Sequence, residues 1–176
     1  MKDSPATAYL GLGSNLGDRM KNLREALRLL SEETGLVAIS PVYETEPEGV
    51  SGQPEFLNMA CEIQSHLSPE ELLLLAKRLE RKLGRPPNGH NSPRPIDIDI
   101  LVYGETVTIG PGLTIPHPRL SERAFVLVPL SDIAPELRVP PDGRTVIEML
   151  HGLDKVTGKI KKVGVIDVPG LDRKRV

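Results

Sequence analysis

The stretch PRPIDIDIL, residues 93–101, constrains the fold of this chain more than any other part of the sequence. In an extended chain successive side chains point to opposite faces, so the isoleucines of this stretch share one face and Asp97 and Asp99 share the other. The apolar face requires a core beneath it. The acidic face holds two like charges about 7 Å apart, so we expect positive charge to lie over it. The stretch therefore predicts a half-buried strand of a sheet.

The order of the segments around this strand predicts the fold class. The β-prone segments are residues 7–13, 36–43, 56–64 and 95–103. One helical segment begins near Asp18, and a second runs from Ser68 to about Leu83. The resulting order of strand, helix, strand, strand, helix, strand is the βαββαβ pattern of a ferredoxin-like α+β sandwich, in which two helices cover one face of an antiparallel sheet.

Capping residues define the ends of both predicted helices. The first helix has leucines at helical spacing, and Gly35 is a natural C′ residue after its last turn. The second has Ser68 as its N-cap, a proline at the first position and Glu71 at the third, which together predict a firm helix start. Pro41 interrupts the segment 36–43 and predicts an edge strand or a bulge there.

Downstream of the acidic strand the pattern is less regular. The pieces TVTI and LTIP are β-prone, a helix is predicted from about Leu120 to Pro129, and GRTVIEMLHGL predicts one more short helix. Residues 154–176 are a C-terminal extension, for which we expect a final strand and a frayed tail. Because the sequence contains no repeat or linker, we expect residues 1–176 to form a single domain, with the motifs in about residues 7–153.

Composition limits the possible functions. Of the 176 residues 39% are hydrophobic, and no apolar run approaches the ~20 residues that span a bilayer. The start of the sequence lacks the apolar region of a signal peptide, and the single cysteine, Cys61, fits a reducing compartment, so we expect a cytoplasmic protein. A net charge of −2 with only five aromatic residues gives no basis for binding nucleic acid or a membrane. A monomer is the default expectation.

The two aspartates predict a cradle for a hard cation. Mg²⁺ binds through one or two carboxylates and completes its shell with water and substrate phosphates. Ordinary outward-facing strand residues explain the pair equally well when it is considered alone. The flanking residues favour the cation, because Arg85 and Arg94 enclose the loop before the strand and the stretch PHPRLSER adds a histidine and two arginines. Guanidinium groups around a carboxylate pair suit a polyanion with bound Mg²⁺.

Three other interpretations are weaker. GLGSNLGD invites a phosphate-binding loop, but it lacks the Gly-Lys-Ser/Thr that ends such a loop, so we interpret Gly11, Gly13 and Gly17 as turn and close-packing residues. A metal-dependent nucleotidyltransferase has its Gly-Ser and Asp-x-Asp elements close in sequence, whereas Gly13 and Asp97 are far apart. A non-catalytic ferredoxin-like RNA-binding module conflicts with the acidic strand and the few aromatic residues.

Four blocks of the sequence together resemble the 6-hydroxymethyl-7,8-dihydropterin pyrophosphokinase family of folate biosynthesis. The blocks are YLGLGSNLGDR, VYETEPEG…QPEFLNMACEI, LGR…PRPIDIDILVYG and LTIPHPRLSERAFVLVPLSDIAPEL. They stand in the family's order over about residues 7–153. The combination of PRPIDIDIL with PHPRLSERAF is specific.

The resemblance implies that the protein transfers the β,γ-diphosphate of ATP to the hydroxymethyl oxygen of the pterin and releases AMP. It also implies two Mg²⁺ ions held by Asp97 and Asp99, which would supply the positive charge that the acidic strand requires. Arg85 and Arg94 match residues that assist the transfer. The family's nucleotide contacts match Glu80, Thr114, His117 and Arg123, and its pterin pocket matches Thr45, Phe56, Asn58 and Phe125.

The sequence departs from the family pattern around the nucleotide. Many members have a tryptophan before the Pro-Arg of the acidic strand, where this chain reads GHNSPR. A frequent arginine before LTIPH is Gly112 here, and Pro118 stands where other members have an aromatic residue after His117. We expect catalysis with altered nucleotide affinity, metal-assisted deprotonation in place of a general base, and closure of the loops 44–55 and 85–94 over ATP.

Overall fold

The computed structural model describes residues 4–49, 52–87, 92–153 and 158–171. Its strands are β1 (Ala6–Ser14), β2 (Gly35–Ile39), β3 (Val42–Thr45), β4 (Phe56–Ser65), β5 (Asp97–Tyr103), β6 (Thr108–Gly110), β7 (Leu113–Ile115), β8 (Arg138–Val139), β9 (Arg144–Thr145) and β10 (Ile160–Gly164). Its α-helices are α1 (Arg19–Glu33), α2 (Pro69–Lys82), α3 (Ala124–Ile133) and α4 (Val146–His151). Among the described residues, no helix has the length and apolar character needed to cross a membrane.

One antiparallel sheet organises the chain. Its strand order is β10-β3-β4-β1-β5, and β2 pairs with the same strand, β4, as β3 does. With β2 and β3 counted as one interrupted strand, the order of the four main strands is that of the ferredoxin-like fold. The predicted fold class is confirmed, and β6 and β7 pair as a small separate hairpin where the β-prone pieces TVTI and LTIP were expected.

The two long helices cover one face of the sheet, as predicted. The side chain of Asp18 accepts a hydrogen bond from the backbone of Lys21 at the start of α1, and Ser68 and Glu71 form a complete capping box at the start of α2. The buried leucines of both helices pack on the apolar sides of β1, β4 and β5, including the isoleucines of the acidic strand. The alternation of PRPIDIDIL therefore places Asp97 and Asp99 on the opposite face.

Gly35 is the C′ residue of the first helix, as predicted, but its backbone is not left-handed. Thr34 is the C-cap with extended backbone, and its N–H donates to the carbonyl of Leu30. Gly35 is already the first residue of β2, where it pairs with Gln64 of β4. The strand partner satisfies the backbone at this point, so no left-handed turn is needed.

Pro41 interrupts the predicted segment, and of the two resulting strands β2 lies at an edge, since β4 is its one partner among the described strands. Ser40 and Pro41 separate β2 from β3, and the hydroxyl of Ser40 accepts a hydrogen bond from the backbone N–H of Ala60 at 2.9 Å. The side chain therefore substitutes for a missing strand contact at the interruption. β3 itself is an inner strand, because β10 pairs with its other side.

A second core lies on the opposite face of the sheet. Buried side chains of α3 and α4 pack there on Leu101 and Val102 of β5. The helix predicted from Leu120 to Pro129 is wrong in its bounds, because a 3-10 turn at Leu120–Glu122 precedes α3 and the helix continues to Ile133. Extended backbone at Arg123 separates the two pieces. Pro129 lies inside this helix and does not end it. α3 covers the far end of β5 and leaves the aspartate end beside an open cleft.

The C-terminal extension contributes the predicted strand. β10 pairs with β3 from Ile160 to Gly164, and the following Ile166 is 3% exposed within the core under α1 and α2. The described part of the extension is therefore part of the sheet and of the core. The tail expected to fray includes residues 172–176, which lie outside the described residues.

Candidate active site

A cavity of about 160 Å³ lies against the polar face of the sheet, beside the acidic strand. Strands β1, β3, β4 and β5 form its floor and α3 forms one side. The structure brings most of the predicted pterin and catalytic residues together here. The predicted residues that line it are Thr45, Phe56, Asn58, Arg94, Asp97, Asp99, Arg123 and Phe125.

A second cavity, of about 340 Å³, lies between α2 and the β6–β7 hairpin. Thr114 and His117, both predicted to contact the nucleotide, line this cavity together with Lys77 of α2. Asp99 lines both cavities. The two predicted substrate regions therefore meet at one carboxylate.

Asp97 is paired with two arginines. Nη1 of Arg85 donates a hydrogen bond to Oδ1 of Asp97, and Nε of Arg94 lies 3.0 Å from Oδ2. Burial acts to raise the pKa of Asp97, but the positive charges of Arg94 and Arg85 outweigh it, and the pKa is lowered from its ordinary value. Asp97 is therefore ionised over the whole physiological range.

Asp99 has the opposite environment. Among the described residues its side-chain carboxylate has no hydrogen-bond or ion-pair partner. Burial, with the charge of Asp97 as the next cause, raises the pKa of Asp99 to about 6. Asp99 thus presents at the junction of the two cavities a carboxylate whose negative charge has no ion-pair partner in the part of the chain that the structure describes.

This donor set fits a hard cation. Within the described parts of the chain, no group of three or more His, Cys, Asp or Glu side chains is placed to hold a metal ion. A cation here would take oxygen atoms from Asp97 and Asp99 and its remaining ligands from water and a substrate. That combination is the one Mg²⁺ prefers, and the unpartnered carboxylate of Asp99 gives it a direct electrostatic reason to bind.

Glu80 lies behind the site and lines neither cavity. It is 2% exposed, its Oε1 accepts a hydrogen bond from the backbone N–H of Ile98 at 2.9 Å, and the same atom lies 2.8 Å from Nη1 of Arg85. Lys77 donates to its other oxygen at 3.0 Å. Burial raises the pKa of Glu80, while these donors act against that rise. The predicted nucleotide contact of Glu80 stays a prediction; in this structure Glu80 holds Arg85 beside Asp97.

The predicted pterin residues form a buried polar pair on the sheet. Nδ2 of Asn58 donates a hydrogen bond to Oγ1 of Thr45 at 2.7 Å, and the two residues are 7% and 3% exposed. Oδ1 of Asn58 lies so close to Gly13 that a Cβ on that glycine would be 2.7 Å away. Gly13 is therefore a close-packing residue, as the sequence predicted, and it leaves room for the amide.

Each of the two pocket phenylalanines carries an arginine over its ring. Cζ of Arg94 lies 5.6 Å from the ring centroid of Phe56, and Cζ of Arg123 lies 5.4 Å from that of Phe125. These contacts connect the predicted pterin side of the cleft to the predicted phosphate side. The sequence predicted the residue types but not this stacking.

His117 is held by its own backbone. Its N–H donates to the carbonyl of Leu101 at 2.9 Å, and its Nδ1 accepts a hydrogen bond from the backbone N–H of Arg119 at 3.2 Å. Burial, followed by the charges of Arg123 and Arg119, lowers the pKa of His117. The imidazole is therefore neutral at pH 7 with its proton on Nε2, which is a hydrogen-bond donor.

The backbone conformation at position 112 explains why this chain has a glycine there. It lies in the turn between β6 and β7 with φ of +89°, a left-handed conformation that favours glycine. An arginine at this position would be strained. Lys77 lines the same cavity from α2, so a cation is present there on a different element.

Sequence reasoning missed one residue that lines the first cavity and one that holds the backbone of a lining arginine. The side chain of Asn15, 1% exposed, accepts a hydrogen bond from the backbone N–H of Arg94 at 2.8 Å, and its backbone N–H donates to the Arg94 carbonyl at 3.1 Å. Glu48 lines the first cavity and contacts Arg119 and Arg123. Neither residue stands out in the sequence, because Asn15 reads as an ordinary turn residue and Glu48 as part of a polar loop.

The fold and the cleft together define a small-molecule transferase with a ferredoxin-like core, because a carboxylate pair surrounded by guanidinium groups suits a phosphate-bearing substrate. The profile of the 7,8-dihydro-6-hydroxymethylpterin-pyrophosphokinase (HPPK) family matches residues 9–135. The chain belongs to this family. The predicted family and enzyme class, an ATP-dependent pyrophosphokinase, are thereby confirmed.

Curated relatives agree with this assignment. The 2-amino-4-hydroxy-6-hydroxymethyldihydropteridine pyrophosphokinase of Bacillus subtilis is 43% identical over 132 residues, which cover 74% of this chain and 79% of that protein. The Pseudomonas aeruginosa protein of the same name is 39% identical over 157 residues, covering 85% and 96%. The folate synthesis bifunctional protein of Arabidopsis thaliana is 42% identical over 153 residues, covering 86% of this chain but only 31% of that protein. The chain thus spans about a third of this plant relative.

Solved structures show the same fold. A triple mutant of Plasmodium falciparum HPPK-DHPS aligns with a TM-score of 0.71 and 16% identity over 86% of this chain and 44% of that chain. A complex of the same protein with SDX-DHP gives a TM-score of 0.72 at 16% identity over 86% and 46%. At this level of identity the likeness concerns the fold alone.

Proposed function

We propose that the protein transfers the β,γ-diphosphate of ATP to the hydroxymethyl oxygen of 6-hydroxymethyl-7,8-dihydropterin and releases AMP. The pterin binds in the first cavity against Phe56, Asn58 and Phe125, and the nucleotide binds in the second cavity near Thr114 and His117. The observation that carries the proposal is the position of Asp99, whose unpartnered carboxylate lies where the two cavities meet.

We propose that Asp97 and Asp99 hold two Mg²⁺ ions together with the triphosphate. When bound, the metal would neutralise phosphate charge and stabilise the entering and leaving oxygens of the transfer. Both carboxylates can serve as ligands at pH 7, since Asp97 is ionised and the pKa of about 6 for Asp99 leaves it mostly ionised. Among the described residues no third carboxylate, histidine or cysteine is placed to join Asp97 and Asp99 around a metal, which fits ions that take their other ligands from phosphate and water.

The remaining residues position the substrates and neutralise charge. Arg85 and Arg94 lie beside Asp97 and can reach phosphate oxygens once the carboxylate has a cation. His117 can donate from Nε2 to a phosphate oxygen, and Arg123 adds a positive charge at the edge of the first cavity. Catalysis would then rest on positioning, with the pterin hydroxyl in line with the β-phosphorus and AMP as the leaving group.

The side chains of the first cavity suit a flat heteroaromatic ring. Phe56 and Phe125 supply apolar surface, and the amide of Asn58 is fixed by Thr45 so that its oxygen is held in one orientation. A buried amide that is held in this way can read the hydrogen-bonding edge of a pterin. This supports the pterin over a purely phosphate-bearing second substrate.

Isotope-labelled ATP tests the proposal directly. With Mg²⁺ and the reduced pterin, label in the α-phosphate should appear in AMP, and label in the β- and γ-phosphates should appear in the pterin product in equal amounts. Asp97→Ala and Asp99→Ala should abolish both products, whereas Glu136→Ala, a change of one exposed carboxylate after α3, should not. Formation of ADP would contradict the proposal, and release of pyrophosphate would favour a nucleotidyltransferase.

Several properties expected from the sequence remain proposals. A monomeric state, a single domain over residues 1–176, a cytoplasmic location and the lack of nucleic-acid or membrane partners stay predictions. Sedimentation at several protein concentrations in the presence and absence of ATP would test the first of these.

A further inference from the structure

Glu48 bridges two arginines at the edge of the first cavity. Its Oε1 lies 3.2 Å from Nη2 of Arg119, and its Oε2 lies 3.3 Å from Nε of Arg123. All three side chains line the cavity that contains Asp97 and Asp99. The carboxylate therefore stands among the positive charges that a phosphate-bearing substrate would use.

The two ion pairs are poorly formed. Nε of Arg123 is buried and lacks an aligned hydrogen bond with any described residue, despite its distance to Glu48. Arg119 is 48% exposed in its side chain and also lies 3.4 Å from Glu122. An exposed ion pair such as that of Arg119 contributes little to stability. The buried Nε of Arg123 would gain from replacing Glu48 by an acceptor with which it can form an aligned hydrogen bond. Phosphate oxygens are such acceptors.

Arg119 and Arg123 are placed so that phosphate oxygens can replace Glu48 as their partner without a large movement of either arginine. Arg123 is held over the ring of Phe125 at 5.4 Å, so its guanidinium has a fixed orientation whether or not Glu48 is its partner. Glu48 lies in the segment after β3, where Thr45 and Glu46 line the same cavity. A carboxylate at this place can leave the arginines by rotation of its own side chain.

We propose that Glu48 is a built-in competitor for the phosphate groups of the substrate, occupying Arg119 and Arg123 in the free protein and yielding them to the nucleotide. Glu48 thus acts through the two arginines and sets the affinity for the nucleotide. The inference rests on the proposed function, because it takes the phosphate-bearing substrate to be ATP.

Glu46 provides a matched control. It is an exposed glutamate two residues away that lines the same cavity, and it has no ion pair with a described arginine or lysine. Glu46→Gln and Glu48→Gln remove the same charge from the same cavity. The difference between their affinities for a polyanion therefore measures the effect of the direct pairing with the arginines. The general electrostatic effect of removing one negative charge is common to both variants.

The test is calorimetric binding of Mg²⁺–α,β-methylene-ATP to the full chain. Glu48→Gln should tighten binding about 3- to 10-fold, whereas Glu46→Gln should change it less than about twofold. In an Arg119→Gln background, the gain in affinity for the ATP analogue from Glu48→Gln should be smaller. A purely structural role of Glu48 would not make its effect depend on Arg119. Steady-state kinetics should show a lower KM for ATP in Glu48→Gln.

Inorganic tripolyphosphate is a second probe, since it carries the phosphates without the nucleoside. The ratio of its affinities for Glu48→Gln and for the unaltered protein should equal the ratio found with the ATP analogue. Equal or weaker binding by Glu48→Gln would overturn the inference and leave the proposed function intact. No binding of the ATP analogue to the unaltered protein would overturn both.

Discussion

Nδ2 of Asn58 donates a hydrogen bond to Oγ1 of Thr45 at 2.7 Å, between β4 and β3 in the floor of the first cavity. The bond satisfies one amide hydrogen in a site with little access to water and fixes which way the amide faces. Because the pair is buried, each partner depends on the other. The orientation of the predicted pterin-reading amide is therefore set by a threonine on the neighbouring strand.

Thr45→Val should weaken pterin binding. The change keeps the shape of the side chain and removes the acceptor, so the Asn58 amide loses its partner at a cost of about 1–2 kcal/mol, or about 5- to 30-fold in affinity. Binding of the nucleotide analogue should change little. Fluorescence titration with the pterin measures the effect, and Thr7→Val serves as the control because its hydroxyl has no hydrogen bond with a described residue. Equal affinities for Thr45→Val and the control would count against the role of the bond.

Gly13→Ala should damage the same site by crowding. A Cβ on Gly13 would be 2.7 Å from Oδ1 of Asn58, so the amide must move from the position that Thr45 holds. We expect at least about a 10-fold loss of pterin affinity, since burial and hydrogen bonding leave the amide no alternative place. Gly11→Ala is the matched control, because its Cβ would meet Leu101 at an ordinary 3.4 Å. Similar losses in the two variants would contradict this explanation.

The two aspartates should have opposite effects on the stability of the metal-free protein. Asp97→Asn removes the carboxylate that pairs with Arg94 and, together with Glu80, with Arg85, and should lower the free energy of unfolding by about 2 kcal/mol at pH 8. Asp99→Asn removes a half-buried charge that has no ion-pair partner among the described residues and should raise it by about 3 kcal/mol at the same pH. Urea unfolding in the presence of EDTA measures both. Effects of the same sign would show that the charges are not distributed as in this structure.

The advantage of Asp99→Asn should depend on pH in a defined window. The pKa of Asp99 rises from 3.8 to about 6 on folding, so the folded state binds more protons between these values and stability falls as pH rises through them. Below about pH 4 the carboxyl is protonated in both the folded and the unfolded state, so Asp99→Asn should not change the free energy of unfolding. The increase in the free energy of unfolding should grow up to about pH 6 and stay constant above it. A gain that is the same at pH 4 and pH 8 would argue against the raised pKa.

Removal of the C-terminal strand should destabilise the protein. A chain that ends at residue 157 loses β10 and the buried Ile166, and it exposes the free edge of β3 that leads into Thr45. We expect a loss of about 3 kcal/mol in the free energy of unfolding and increased aggregation through the exposed edge. A chain that ends at Leu171 keeps every described contact and is the control. Unchanged unfolding of the shorter chain would show that the extension is not part of the core.

The sequence alone determined the architecture and the two faces of the acidic strand. The period of two in PRPIDIDIL, the cap residues Asp18 and Ser68 and the order of the segments depend on hydrogen bonds and steric preferences within a few residues. These rules act before any distant contact forms. They were sufficient for the ferredoxin-like fold, the two covering helices and the shared face of Asp97 and Asp99.

Only the tertiary structure decided how the charges of the site are paired. Asp97 and Asp99 are equivalent in the sequence pattern, yet Arg85 and Arg94 both pair with Asp97 and neither pairs with Asp99. Glu80 reads as one residue of a charged helix, but it is buried beneath β5. Glu48 meets Arg119 and Arg123 although about 70 residues separate them in the chain. Such pairings follow from how the sheet and its connections pack in three dimensions, and no local periodicity carries that information.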